Sequence, residues 1–270
     1  MKVTVILSTR NAAETLENCL KSINNQSRSP EEIIIVDRNS TDNTVAIAKK
    51  YTTAVFNHGP ERSAQRNFGA TYAQGDYLLF VDADMELTKD VIAESCDLVS
   101  QKPDVKALSI PEKSFGVGFW SEVKAFERSF YIGETDLEAP RFIEKKIFEK
   151  VGGYDEKLVA GEDWDLANRI KSSGVKIDRI HALILHNEGS LGLLKTAKKK
   201  FYYGRQIRNY LAKRNFTYSQ VTPLRAAFFK SPARLLKNPG KTVGLFVLKS
   251  TEFAAGFLGL VDSLFSRQKR

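Results

Sequence analysis

Four short apolar runs, separated by stretches of helical character, limit what the first hundred residues can fold into. VTVILS (3–8), EIIIVD (32–37), TAVF (53–56) and YLLFV (77–81) carry the Ile, Val and Leu density of strands covered on both faces. Between them, residues 12–24, 41–51 and 61–73 read as helices, the second with Ser40 or Thr41 as its N-cap. This βαβαβαβ order calls for right-handed crossovers and an α/β architecture: a doubly wound, mostly parallel sheet flanked by helices. Ligands bind such sheets beyond the carboxyl ends of the strands. Ser8, Thr9, Arg10, Asn11, Asp37, Asp82 and Asp84 all fall at those ends, so three polar clusters should meet on one rim.

The later residues are less regular. Residues 105–190 hold a Gly/aromatic loop, SFGVGFW (114–120), a strand near 140–143, and a helix opened by GEDWDL and closed by Gly174. With 270 residues, 42% hydrophobic and 27% charged, the chain can bury one large core and is not a disordered polymer. Cys19 and Cys96 lie far apart in helical stretches and make no zinc spacing, which fits reduced thiols in a cytosolic setting. The opening MKVTVILSTR reads as a strand, without the apolar core or cleavage site of a signal peptide.

YLLFVDADMEL (77–87) runs a buried-looking strand straight into Asp82 and Asp84. Two carboxylates at a strand end are costly unless water or a cation solvates them. Alternate residues of an extended chain point the same way, so the pair suits a hard divalent ion. An EF-hand is excluded, because Leu87 stands where its glycine should be and Ala93 where its last glutamate should be. No phosphate-binding Gly-x-x-x-x-Gly-Lys loop and no Gly-x-Gly-x-x-Gly occurs. Alone, the Asp-x-Asp is a weak signal and reads sooner as a pair of solvated turn acids.

It stands in an ordered set: ILSTRNAAETLENCLKSI, IIIVDRNSTDNTVAIAKKY, ERSAQRNFGATYAQGDYLLFVDADMEL and GGYDEKLVAGEDWDLANRI. Together these closely resemble the family 2 inverting glycosyltransferases of GT-A (Rossmann-like) fold, over roughly residues 3–190. The resemblance implies that Thr9, Arg10, Asn11, Asp37, Arg66 and Asn67 hold a nucleotide-diphosphate sugar, a UDP- or GDP-sugar. It implies that Asp82 and Asp84, with His186 of LILHNEG, hold Mg²⁺ or Mn²⁺ against the donor diphosphate, Asp82 also touching the donor. The Glu162–Asp163 pair is the catalytic signature, with Asp163 as the base that deprotonates an acceptor hydroxyl. Where the family usually has Asp-Gly-Ser-Thr-Asp after the strand aspartate, this chain has Arg38-Asn39-Ser40-Thr41-Asp42, which leaves the nucleotide base open. If the acceptor is a lipid phosphate, already ionised, Asp163 would position it instead of deprotonating it. The same acids also complement a helix dipole, and Trp164 reads as packing. A non-catalytic sugar-nucleotide or glycan-binding module and a nucleotidyltransferase are the alternatives. The first fits poorly with intact Asp82, Asp84 and Asp163, the second with the absence of a Gly-rich basic loop after the first strand.

Charge divides the chain. Residues 1–190 hold 24 Lys and Arg against 30 Asp and Glu, whereas residues 191–270 hold 17 against 2. The expected division is therefore a catalytic domain, 1–190, and a basic amphipathic helical extension, 191–270. A basic tail on an acidic body without a nucleic-acid module points to an anionic membrane surface, not to nucleic acid. Lys199, Lys200, Tyr203 and Arg205, in the basic–aromatic stretch 191–214, are candidate contacts for an acceptor phosphate. A second piece, 223–236, mixes apolar pairs with Arg225, Lys230 and Arg234. The third, 243–265, is long enough to span a bilayer but carries Lys249 and Glu252 toward its middle. Each central charge costs about 2.5–3.5 kcal/mol on insertion scales. The segment is therefore expected to lie in the interface, with docking on the protein's own body as the alternative. The chain is expected on the cytoplasmic face of the cell membrane as a peripheral enzyme with a lipid-linked or cell-surface glycan acceptor.

Overall fold

A computed structural model describes residues 1–134, 137–207, 210–211 and 225–265. Its larger sheet has the order β3-β2-β1-β4-β8-β6-β9. The strands are β1 (Val3–Thr9), β2 (Glu32–Asp37), β3 (Val55–Asn57), β4 (Tyr77–Asp82), β6 (Val105–Ser109), β8 (Pro140–Glu144) and β9 (Lys176–Arg179). β3, β2, β1 and β4 are mutually parallel, as the crossover pattern requires, while β8 enters antiparallel between β4 and β6. Every residue of β1 is buried, which explains the unbroken apolar run in its sequence.

Helices cover both faces: α1 (Leu16–Asn24), α2 (Thr44–Ala48), α3 (Arg62–Tyr72), α4 (Val91–Gln101), α5 (Phe119–Arg128), α6 (Lys145–Lys150) and α7 (Glu162–Ser172). One apolar cluster lies under α1 and α4, and a second lies under α3 and α7. Helix α2 starts later than Ser40 or Thr41 would allow. The Ser40 hydroxyl donates to Asp37 Oδ1 at 2.6 Å, and Asp42 Oδ1 accepts the Thr44 amide at 3.0 Å. An Asx-type turn thus replaces the expected serine or threonine cap.

A smaller sheet, in the order β5-β10-β7, flanks the rim. It comprises β5 (Met85–Leu87), β7 (Glu112–Val117) and β10 (Ile184–Ser190). Antiparallel β5–β10 pairing sets His186 opposite Met85, so the histidine arrives beside Asp84.

The tail forms α8 (Leu193–Gln206), α9 (Ala226–Phe229), α10 (Pro232–Lys237) and α11 (Pro239–Phe265). Residues 208–209, 212–214 and 223–224 of the expected tail segments lie outside the described residues. α9 and α10 are separate because Pro232 opens a new helix and cannot continue the preceding one. α11 packs against α8 and α5. Its closest approach to α8 runs over glycines: a Cβ at Gly204 would strike the Gly256 carbonyl, and one at Gly259 the Phe201 carbonyl.

The inner face of α11 buries Leu245 and Leu248 on α5, together with Lys249 and Glu252. Lys249 Nζ lies 3.0 Å from Glu127 and 2.7 Å from Glu252, and Lys124 Nζ lies 3.0 Å from Glu252. The two charges that weigh against membrane insertion thus face the protein and are paired there. The outer face leaves Val243, Phe246, Val247 and Leu258 exposed. The helix is docked along one side and apolar along the other. It is also the one helix among the described residues that is long and apolar enough to cross a bilayer.

Candidate active site

The carboxyl ends of β1 and β4, the start of α7 and the tail helices enclose one cleft of about 1140 Å³. Thr9, Arg10 and Asn11 form its wall at the end of β1, with Arg38 beside them. Asp37 is buried behind that wall. It accepts hydrogen bonds from the Thr9 hydroxyl at 2.8 Å and the Ser40 amide at 2.7 Å, so it shapes the loop that carries the wall. Asn11 adopts a left-handed φ of 47°, and its Oδ1 accepts the Thr41 amide at 2.8 Å. Asn67 also turns away from the cleft. Its amide donates to the Tyr154 carbonyl at 2.8 Å, and its Oδ1 accepts the Tyr154 amide at 2.8 Å.

Arg66, fully buried on α3, joins the two acidic halves of the site. One terminal nitrogen donates to Asp82 Oδ1 at 2.7 Å and the other to Asp163 Oδ1 at 2.9 Å, with the guanidinium 5.0 Å from the Tyr154 ring centre. Arg141 of β8 approaches Asp82 Oδ2 at 3.6 Å and binds Glu112 Oε1 at 2.7 Å. Burial alone would raise the Asp82 pKa, but the Arg66 and Arg141 guanidiniums hold it well below the usual carboxylate range.

Asp84 is half-exposed in the cleft, and its Oδ2 lies 3.4 Å from His186 Nε2. Behind the ring, Nδ1 lies 3.4 Å from Glu112 Oε2. Burial lowers the histidine pKa, yet bonding to Asp84 and Glu112 carries it up to about 9. A carboxylate that fixes one imidazole nitrogen while the other faces an acid is the arrangement that orients a metal-binding histidine. Among the described residues no group of three or more His, Cys, Asp or Glu side chains converges as a self-sufficient cage. Asp84 and His186 instead fit an ion that takes its remaining ligands from phosphate and water, as Mg²⁺ and Mn²⁺ sites on nucleotides do. Asp82 adds one loosely held oxygen, the one facing Arg141.

Gly161, at φ 81°, ends the loop before α7, where any Cβ would lie 2.8 Å from the Tyr210 ring. The turn sets Glu162 and Asp163 on the cleft wall. Asp163 keeps 30% of its side chain exposed, while Glu162, 3.0 Å from Arg62, keeps 4%. Burial, with Asp163 beside it, pushes the Glu162 carboxyl up to about 7. Trp164 also lines the cleft, its ring 6.3 Å from that of Tyr210. Of the tail candidates, Lys199, Lys200 and Tyr203 line the cleft. Arg205 instead pairs with Asp262 at 2.9 Å on the seam between α8 and α11.

The residues missing from the sequence-based set are Glu112, Arg141 and Arg62. Arg141 carried one signal, an arginine inside the apolar strand PRFIE, since a buried charge implies a partner. Glu112 sits in PEK and carried none.

Comparison with known proteins gives a consistent picture. A family profile described as "Glycosyl transferase family 2" matches residues 4–153, and one described as "N-terminal domain of galactosyltransferase" matches 141–189. The O-antigen chain rhamnosyltransferase WbaN of Salmonella anatum is 27% identical over 198 residues, covering 64% of this chain and 62% of that protein. The chain thus spans less than two thirds of this relative's length. Glycosyltransferase AglE of Haloferax volcanii is 24% identical, over 92% of this chain and 88% of AglE. Among solved structures, the mannosyltransferase PcManGT from Pyrobaculum calidifontis, in complex with GDP-Man and Mn²⁺, superposes with a TM-score of 0.68. That match has 17% identity and covers 98% of this chain and 87% of the other. The sheet and its flanking helices are therefore those of the GT-A fold.

Proposed function

This chain belongs to glycosyl transferase family 2, and on that footing we propose a metal-dependent, inverting glycosyltransferase. It moves a sugar from a nucleotide-diphosphate donor, a UDP- or GDP-sugar, to a lipid-linked or cell-surface glycan acceptor. The observation that carries this reading is the single cleft in which Asp84 with His186 and, across Arg66, Asp163 line one space. Residues 1–190 form the catalytic unit in this reading, and 191–270 its extension.

Thr9, Arg10, Asn11 and Arg38 offer hydrogen-bond donors and acceptors to a nucleoside at one end of the cleft. Asp84 and His186 would hold Mg²⁺ or Mn²⁺, which when bound neutralises the charge gathering on the departing diphosphate. Arg66 holds one oxygen of Asp163, which orients the carboxylate toward the cleft. Asp163 then accepts the proton of the acceptor hydroxyl as that oxygen attacks the anomeric carbon from the face opposite the diphosphate. One in-line displacement inverts the configuration. Glu162, nearly buried and bonded to Arg62, supports the turn beside it.

A panel of UDP- and GDP-sugars, assayed for release of nucleoside diphosphate with and without Mn²⁺, tests the reading. Asp163→Asn should lower transfer to a hydroxyl acceptor by about 10²–10⁴-fold while nucleotide affinity stays within about twofold. Full transfer by that variant removes Asp163 as the base. Failure of every donor to bind or react removes the enzyme reading itself.

The outer face of α11 and the basic residues of α8 to α10 support peripheral attachment to the cytoplasmic face of an anionic membrane. Truncation at 238 would uncover Val123 and leave Lys124 and Glu127 without their α11 partners. Substitution of the outer face tests attachment more cleanly. Burying one Phe side chain is worth about 1.5–3 kcal/mol. Phe246→Glu with Val247→Glu, both exposed and outside the cleft, should therefore reduce co-sedimentation with phosphatidylglycerol-containing vesicles by at least about tenfold. Undiminished binding removes α11 as the attachment surface.

A further inference from the structure

The start of α8 also lines the cleft. Leu191, Lys195, Thr196, Lys199 and Lys200 line it there. Spacing explains why: Lys195 and Lys199, and likewise Thr196 and Lys200, are four residues apart and share a helix face. Gly192 at the N-cap supplies no side-chain cap, and the first turn holds no acid. The first intrahelical bond is that of the Thr196 amide to the Gly192 carbonyl, at 2.9 Å. The amides before it form a positive helix end without a carboxylate of its own, and Lys195 and Thr196 of that end line the cleft.

A second observation is independent of the helix end. Thr196 is only 9% exposed, and its hydroxyl has no hydrogen-bond partner. Across the cleft Arg225 stacks on Tyr131 at 4.5 Å, and its buried Nε is also without a partner. Neither group is explained by the fold, because a buried unpaired donor costs free energy.

Charge adds a third. Lys124, Lys200 and Lys249 meet Glu127 and Glu252 where α5, α8 and α11 join, leaving one positive charge in excess among the described residues. Lys200 is the loosest member, 3.7 Å from Glu252 and beyond hydrogen-bond distance. Burial pulls its pKa down to about 8, a cost that an anion beside it would relieve. The carboxylates that also line this part of the cleft are already engaged: Glu188 by Ser114 and Arg128, Glu252 by Lys124 and Lys249.

We propose that the first turn of α8, with Lys195, Thr196, Lys199 and Lys200, is a second anion site that binds a phosphate group of the acceptor. The proposal rests on the reading of the cleft as a donor-to-acceptor channel, and it narrows the acceptor to one that carries a phosphate. The site draws on residues other than Asp84 and His186, which this reading gives to the donor diphosphate. Backbone amides, a hydroxyl donor and ammonium groups are the set that holds a phosphate.

The test uses the full chain saturated with nucleoside diphosphate, so that the donor end is filled. Farnesyl phosphate, farnesol and inorganic phosphate are then titrated by calorimetry. Farnesyl phosphate should bind at least about tenfold more tightly than farnesol, the loss expected when one charge-assisted bond is absent. Inorganic phosphate binding as tightly as farnesyl phosphate identifies a free phosphate as the ligand. Tighter binding of farnesyl phosphate identifies a lipid headgroup, and both outcomes support an anion site.

Thr196→Val should weaken the phosphate-bearing probe by about tenfold, leave nucleotide affinity unchanged and not lower the melting temperature, since it removes an unpaired buried hydroxyl. Lys199→Ala should weaken the same probe and likewise spare the nucleotide. Equal affinity for farnesyl phosphate and farnesol, or phosphate binding unaltered by both substitutions, overturns the proposal. Failure of the nucleotide to bind while phosphate still binds would overturn the donor reading and leave this site standing.

Discussion

Arg66→Ala is expected to destabilise the fold by about 3–5 kcal/mol, the range for removing one partner from a buried ion pair. Arg66 is fully buried and binds Asp82 at 2.7 Å and Asp163 at 2.9 Å. Without it, Asp82 keeps only the 3.6 Å approach of Arg141, and Asp163 loses the donor that orients it. Urea denaturation should show a lower midpoint with little change in slope, the mark of lost stability without altered compactness. Arg66→Lys keeps the charge but has no planar fork, so it can serve one carboxylate well and the other poorly. It should recover part of the stability and little of the activity. A midpoint within about 1 kcal/mol of the parent for Arg66→Ala would show that Asp82 and Asp163 do not depend on the bridge.

The second large effect is expected at Glu127. This residue is 1% exposed, and its carboxylate binds Lys124 at 2.7 Å, Lys249 at 3.0 Å and the Tyr131 hydroxyl at 2.5 Å. Glu127→Ala leaves Lys124 and Lys249 to share Glu252 alone between α5 and α11, again at a cost of about 3–5 kcal/mol. The loss should be local, so limited proteolysis should cut the tail, 225–265, before the sheet domain. Burial would raise the Glu127 pKa, but Lys124 and Lys249 hold it well below the ordinary range of about 4.5. A depressed native pKa means that its contribution is complete above about 4.5, the ordinary value, and is lost as pH falls from there through the lower native value. Acid below about pH 4.5 should therefore loosen the tail of the parent protein and leave the substituted one, already loosened, less affected. Proteolysis of the tail at the parent's rate would show that α11 is held by its apolar contacts alone.

Much of the fold of residues 1–190 was legible because it is written locally. Alternating apolar runs and helical stretches specify parallel strands, and polar residues at strand ends specify the rim. GEDWDL announces the start of α7 through its glycine and first-turn acids. The exceptions follow from competition that a linear reading cannot weigh. Ser40 looked like a helix cap until Asp37 proved to hold its hydroxyl. Asn67 stands next to Arg66 in sequence, yet helical geometry turns it toward Tyr154, while Arg66 enters the site.

The tail shows the same limit more sharply. Lys249 and Glu252 read as obstacles to membrane insertion, because sequence gives their cost and not their partners. Glu127, which binds Lys249 at 3.0 Å, is 122 residues away along the chain. Pairing there turns the polar side of α11 inward and leaves an outer face of Val, Phe and Leu.

The sequence by itself determined the layered sheet, the acidic rim and the basic character of the tail, since propensity, periodicity and charge act over a few neighbouring residues. Only the tertiary structure decided which charges are partners: Arg66 between Asp82 and Asp163, Glu112 behind His186, Glu127 beneath Lys249. The reason is electrostatic. A buried charge is tolerable only within a few ångströms of its counter-ion, and that proximity exists only after distant segments have packed.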